Sequence, residues 1–224
     1  AARLVWAQSA PPPGGGPPRA PPPLLALLLC ALSALEGADL QLLPCAFFAL
    51  RRDLGLTPGS LATLGAVQAF CGTVSAPAWA FLADRRIVPR RTILAVGSVG
   101  QGLVTVLLAL VTSWAPMLLL RGLNGVMLAS LRPVCMGIVA DTTSEQRRGK
   151  VYGRTQLALQ LGMLASTMTA TPLSGATVLG LNGWRVAFAI VGLLGMLVGA
   201  LAVLAMKVPK PAGGEGVEGG AGEE

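Results

Sequence analysis

Histidine is absent from the 224 residues. That absence removes the usual zinc sites and every serine or cysteine triad built on a histidine base. Charge is scarce too. Asp, Glu, Lys and Arg make up 12% of the chain, against about 25% in soluble domains. The four cysteines, Cys30, Cys45, Cys71 and Cys135, all lie inside apolar runs, so they read as small embedded side chains rather than disulfides or ligands. There is no G-x-S-x-G elbow and no set of paired metal ligands, so neither an enzyme nor a bound cofactor is expected. The net charge of +7 is not accompanied by aromatic-interleaved basic patches, which argues against nucleic acid as a partner. What the chain does have is apolar surface: 53% of its residues and a mean hydropathy of +0.67. A soluble surface cannot be built with so few charges, so the lipid bilayer is the expected surroundings.

Residues 1–23 form a Pro- and Gly-rich arm, and residues 207–224 a Gly- and Glu-rich tail. Both are expected to be disordered. Between them, residues 24–206 read as an all-α, six-helix transmembrane domain with spans at 24–50, 58–83, 92–112, 115–140, 152–177 and 184–206. About 20 apolar residues suffice to cross a bilayer. Thr112 to Pro116 and Leu179 to Trp184 mark tight turns between spans. Beginning at Ala1, the chain is expected to be a fragment of a longer, 12-helix protein.

The basic residues set an orientation. Of the 17 Lys and Arg, a topology with both tails cytoplasmic puts twelve inside: Arg3, Arg19, Arg85, Arg86, Arg90, Arg91, Arg147, Arg148, Lys150, Arg154, Lys207 and Lys210. Arg51, Arg52 and Arg185 fall outside. This bias follows the positive-inside rule.

Charges also stand where hydrocarbon is expected. Glu36 and Asp39 share one face of the first span, and Arg121 and Arg132 share one face of the fourth, about 16 Å apart in depth. Asp39 and Arg121 come out at similar depth. An uncompensated charge there costs about 3 kcal/mol or more, so a pair of Arg121 with Asp39 or Glu36 is expected. Arg132 lies nearer the cytoplasm and is within snorkelling reach of it. Polar stripes of Gln156, Gln160, Thr167 and Thr171 on the fifth span, and of Gln68, Gly72 and Ser75 on the second, must meet other helices or water. The third and sixth spans read as scaffold. The sixth carries a Gly195-x-x-x-Gly199 step for close packing.

Four segments carry a family resemblance. Ala80 to Arg91 (AFLADRRIVPRR) resembles the loop between helices two and three of a major facilitator superfamily transporter. Arg121 to Gly125 (RGLNG) is similar to that family's helix-four motif. Asp141 to Gly153 resembles its loop between helices four and five, and Gly183 to Phe188 (GWRVAF) the start of its helix six. Ala80 replaces a glycine, the loop glycine is missing, and Ile87-Val88-Pro89 lengthen the loop. The G-P-x-x-G-G pattern of one antiporter class is absent from the fifth helix.

The resemblance implies the N-terminal six-helix half of such a transporter, made of two three-helix repeats. It would move a small-molecule solute by alternating access, with protons or another ion as coupling partner and a C-terminal half or second subunit completing the cavity. Glu36, Asp39, Arg121, Asn124, Arg132, Gln68, Gln156 and Gln160 are the expected pathway residues. Asp84, Arg85, Arg90, Arg91, Asp141, Arg147 and Arg148 form the expected cytoplasmic gating loops, with Asp84 latching one conformation through a helix N-terminus or through Arg147 or Arg148. The competing reading is a truncated or regulatory membrane protein that packs against a partner without transporting.

Overall fold

The structure is a computed structural model that describes residues 23–85, 87–178 and 180–205. The expected arm lies outside the described residues except for Pro23, and the tail lies wholly outside them. All six helices form: α1 Pro23–Leu54, α2 Pro58–Asp84, α3 Arg90–Leu110, α4 Trp114–Thr142, α5 Glu145–Gly175 and α6 Gly183–Ala205. A two-stranded hairpin, β1 Thr177–Val178 and β2 Leu181–Asn182, precedes α6. Local chemistry sets these limits. Gly55, at φ 64°, follows the last residue of α1, where a glycine takes the left-handed conformation most readily. Thr57 Oγ1 then accepts from the Ser60 amide at 3.2 Å and Pro58 opens α2, a side-chain cap followed by a proline in the first turn.

Two details differ from the sequence reading. The turn expected after residue 178 is the tip of the hairpin, with Gly180 at φ 78°. Helix α5 starts at Glu145 rather than at 152. Its first turns carry Glu145, Arg147, Arg148, Lys150 and Arg154, and charges suit a helix wherever that stretch stands clear of hydrocarbon. Among the described residues, the other five helices are long and apolar enough to cross a membrane by length and composition; the charge-free stretch of α5 falls short because Gln156, Gln160 and a run of threonines lower its hydropathy.

The helices pair across the chain: α1 on α5, α2 on α4 and α3 on α6, with α3 also on α4 and α1 on α6. Exchanging the first three helices for the last three maps this set onto itself, as two three-helix repeats require. Each main pair meets at reciprocal glycines. Gly37 lies against the Leu159 carbonyl and Gly162 against that of Ala34; Gly72 and Gly125 face each other, as do Gly102 and Gly192. Equivalent glycines in the two repeats are about 90 residues apart. A Cβ on Gly192 would come within 2.7 Å of the Gly102 carbonyl, so the helices approach to backbone contact.

Apolar packing gathers toward the two ends. Leu42, Leu50, Leu64, Leu108, Met117 and Phe188 fill the hairpin end, and Leu32, Ile93, Leu94, Leu131 and Val134 the end bearing the 85–89 loop. Between them runs a polar layer.

Gly125→Val, which drives a side chain into the Gln68 carbonyl, is expected to destabilise the bundle by about 1–3 kcal/mol. Gly149→Ala meets no atom within 4 Å in α5 and is expected to stabilise by about 0.5–1 kcal/mol. Thermal melting of the purified protein checks both signs.

Candidate functional site

The polar layer joins four helices. Asp39 of α1, Gln68 of α2, Thr105 of α3, and Arg121 and Asn124 of α4 are all buried. Thr105 Oγ1 donates to Asp39 Oδ1 at 2.5 Å, and Asn124 Nδ2 donates to Thr105 Oγ1 at 3.0 Å. Gln68 Nε2 donates to Asn124 Oδ1 at 2.7 Å, and Arg121 Nη1 donates to Gln68 Oε1 at 3.2 Å. Every donor points the same way, from the guanidinium to the carboxylate. Opposite charges at the two ends fix the amide orientations, and aligned hydrogen bonds polarise one another.

The expected contact of Arg121 with Asp39 or Glu36 is therefore corrected. No ion pair within 4.0 Å joins Arg121 to either acid among the described residues. Helix α1 packs chiefly on α5 and α6, not on α4, so three neutral side chains span the gap. The ends remain incompletely bonded: Asp39 Oδ2 and Arg121 Nε and Nη2 are buried and lack a hydrogen-bond partner among the described residues. The Arg121 guanidinium lies 5.1 Å from the Phe188 ring centroid.

Glu36 instead meets Arg132, at 3.6 Å. Arg132 thus turns toward α1, where the sequence left it free to reach the cytoplasmic interface. The pair stands in a cleft of about 40 Å³ between α1, α4 and α5, which Ser33, Cys135, Tyr152 and Gln156 also line. That volume holds a water or two. Gln156, Gln160, Thr167 and Thr171 are exposed along α5, leaving this polar face uncovered by the six helices. Cys30, Cys45, Cys71 and Cys135 are free thiols.

At the loop end the gating residues pair differently from expectation. Arg90 of α3 lies against Gly137 and forms an ion pair with Asp141 of α4. Arg148 donates to the carbonyls of Ala140, at 2.8 Å, and Thr143, at 3.1 Å. It thereby satisfies the C-terminal carbonyls of α4, and it also lies 3.8 Å from Glu145. Neither Arg147 nor Arg148 forms an ion pair with Asp84, which is exposed at the end of α2. Arg85 stands over the Phe81 ring at 5.4 Å. The Arg91 side chain lies outside the described residues.

The hairpin end is tied through α6. Trp184 Nε1 donates to Asp53 Oδ2 at 2.7 Å, and Arg185 Nη1 donates to the Ala109 carbonyl at 2.6 Å. The Arg185 guanidinium lies 4.4 Å from the Trp184 ring centroid. Trp184 and Phe188 meet edge to face, 5.9 Å between centroids.

The sequence reading passed over Thr105 and its neighbour Gln101 by taking α3 as scaffold. Their signal was present: Ser98, Gln101 and Thr105 follow i, i+3, i+7 spacing on an otherwise apolar helix, and all three are buried. The Phe188 contact had no comparable signal, since a phenylalanine on an apolar helix reads as core.

Thr105→Val keeps the shape but strands Asp39 Oδ1 and Asn124 Nδ2. It is expected to lower stability by about 1–3 kcal/mol, read as a fall in melting temperature. Thr105→Ser, which keeps the hydroxyl, should lose clearly less.

The comparisons with known proteins bear on the whole bundle. The sequence profile of the Major Facilitator Superfamily matches residues 29–222. A search of curated protein sequences found no significant match. Among solved structures, the chain resembles a bacterial homolog of the human lysosomal transporter Spinster in an inward-facing, unoccupied conformation. The TM-score is 0.77 at 20% identity, over 88% of this chain and 45% of that one. It also resembles the inward-open xylose transporter XylE from E. coli, with a TM-score of 0.67 at 15% identity, over 83% of this chain and 48% of that one. At these identities the likeness is one of fold. The chain spans less than half the length of each.

Proposed function

The chain belongs to the Major Facilitator Superfamily, and on that premise we propose that it forms one six-helix half of a secondary transporter for a small organic solute. The second half comes from further helices of the same polypeptide or from another subunit, and the two rock about a midplane site. The observation that carries this reading is the Arg121–Gln68–Asn124–Thr105–Asp39 chain, buried at mid-depth among apolar helices. Ionisable groups held at that depth are costly and characteristically mark ion or solute paths. The exposed stripe of Gln156 and Gln160 and the Glu36–Arg132 cleft supply further polar wall to the same pathway.

A proton is the coupling ion that best fits Asp39. A buried carboxylate with one oxygen unbonded among the described residues has room for a proton. One solved relative in fold is a D-xylose–proton symporter, which supports this choice. Both tails face the cytoplasm on this reading, which the bias of basic residues supports. Asp84, exposed at the end of α2, is then placed to latch against the second half. The Arg90–Asp141 pair clamps α3 to α4 within this half.

Reconstituted full-length protein, screened for solute uptake with and without a pH gradient, tests the reading directly. Asp39→Asn and Arg121→Gln are each expected to abolish uptake while membrane insertion persists. Normal transport by both single mutants would sink the proposal. Asp84→Asn is expected to change the ratio of thiol labelling from the two membrane faces. A ratio matching wild type refutes the latch.

A further inference from the structure

We infer that the Phe188–Trp184–Asp53 stack positions Arg121, which makes the hairpin end of α1 a remote determinant of the buried polar chain. The inference rests on the reading of Arg121 as part of the pathway. It starts from an imbalance: a guanidinium carries five N–H donors, yet buried Arg121 makes a single hydrogen bond among the described residues, to Gln68. Its other partner is the face of Phe188. A ring face attracts a cation without accepting a directed hydrogen bond. The aromatic contact therefore holds the charge in place while Nε and Nη2 stay uncommitted. An Asn or Gln at position 188 would consume those donors. The choice of an aromatic neighbour keeps Arg121 both located and reactive.

The ring can do this only if it is itself held. Phe188 packs edge to face on Trp184, and Trp184 is fixed on two further sides. Its N–H is bonded to Asp53, and its ring is covered by Arg185, whose guanidinium is in turn bonded to the Ala109 carbonyl. Asp53 is exposed in the last turn of α1, the helix that also carries Asp39. The path Asp53–Trp184–Phe188–Arg121–Gln68–Asn124–Thr105–Asp39 thus leaves α1 at its end and returns to it mid-depth, crossing every helix except α5. A shift of the α1 end relative to α6 would move Trp184, then the Phe188 ring, then the guanidinium.

A double-mutant cycle on the purified full-length protein tests this without knowing the solute. Two readouts are taken: melting temperature, and the labelling rate of Gln156→Cys by a membrane-impermeant maleimide, corrected for the protein lacking that substitution. Phe188→Leu and Arg121→Gln are each expected to change the labelling rate in the same direction, by roughly threefold or more. The double variant should go no further than the larger single effect. Phe188→Tyr, which keeps the ring face, should restore the wild-type rate. Asp53→Ala, which removes the acceptor, should shift labelling the same way as Phe188→Leu, and lose that effect on the Arg121→Gln background.

Additive effects in both readouts, or a Phe188→Leu rate equal to wild type, would overturn the inference and leave Phe188 as ordinary core. If Phe188→Leu does not fold, the Asp53→Ala and Arg121→Gln cycle reads the same coupling from the surface, and additivity there overturns it equally. Non-additivity beside normal uptake by Arg121→Gln would remove the pathway reading while leaving the positioning intact.

Discussion

A buried guanidinium and a buried carboxylate that do not touch impose the main constraint on this bundle. Direct contact would neutralise Arg121 and Asp39 most simply, but they stand on helices that hardly pack against each other. Each charge therefore needs neutral polar groups brought from other helices, and α2, α3 and α4 must all present one at the same depth. That requirement fixes the rotation of each helix about its axis. A turn that moved Gln68 or Thr105 toward lipid would leave two polar groups unbonded, at about 1–3 kcal/mol each. The apolar clusters toward either end supply area but tolerate small rotations; the polar layer does not.

Close approach of the backbones makes the layer possible. Short side chains such as Thr105 and Asn124 reach across only if the helices lie near one another, and the reciprocal glycines provide that in each main pair. The scaffold is symmetric between the two repeats, whereas its polar decoration is not. With Gly37 and Gly125 taken as equivalent, Asn124 corresponds to Glu36, Arg121 to Ser33 and Asp39 to Met127. The same backbone position thus carries an arginine in one repeat and a serine in the other. A symmetric frame with asymmetric charge gives one polar chain at mid-depth instead of two mirrored ones.

How much of this could be read in the sequence depends on what each signal measures. Apolar runs broken by Gly, Pro and Asn report helix limits well, and they placed five helices to within a few residues. They failed at α5, whose charged first turns look like a loop by composition although their backbone is helical. Helical-wheel arithmetic gave the face and depth of Asp39 and Arg121. It carried no information on which helices are neighbours, so the expected direct pair became a relay. Thr105 was hidden for a different reason: a single hydroxyl barely changes the mean polarity of α3, yet in an apolar layer it is the group that Asp39 needs. The loop motifs identified the family, but the lengthened Ile87-Val88-Pro89 segment made their pairing unreadable, and the ion pair falls between Arg90 and Asp141.

The distribution of bonds within the half also bears on how it would move. Both ends are tied internally. Arg90–Asp141 and Arg148 bind α3, α4 and the α5 start at one end, and Trp184 and Arg185 bind α1, α3 and α6 at the other. The middle is tied by the relay. A bundle fastened at three levels resists internal shear, which suits the proposed rocking of the whole body against a second half. An exposed polar stripe runs along α5 at Gln156, Gln160, Thr167 and Thr171. In a bilayer such a stripe is stable only against water or another polar helix face. A bundle tied at both ends, with an exposed polar stripe and a charge layer whose two ends keep unbonded atoms, fits the proposed role of one half of an alternating-access transporter.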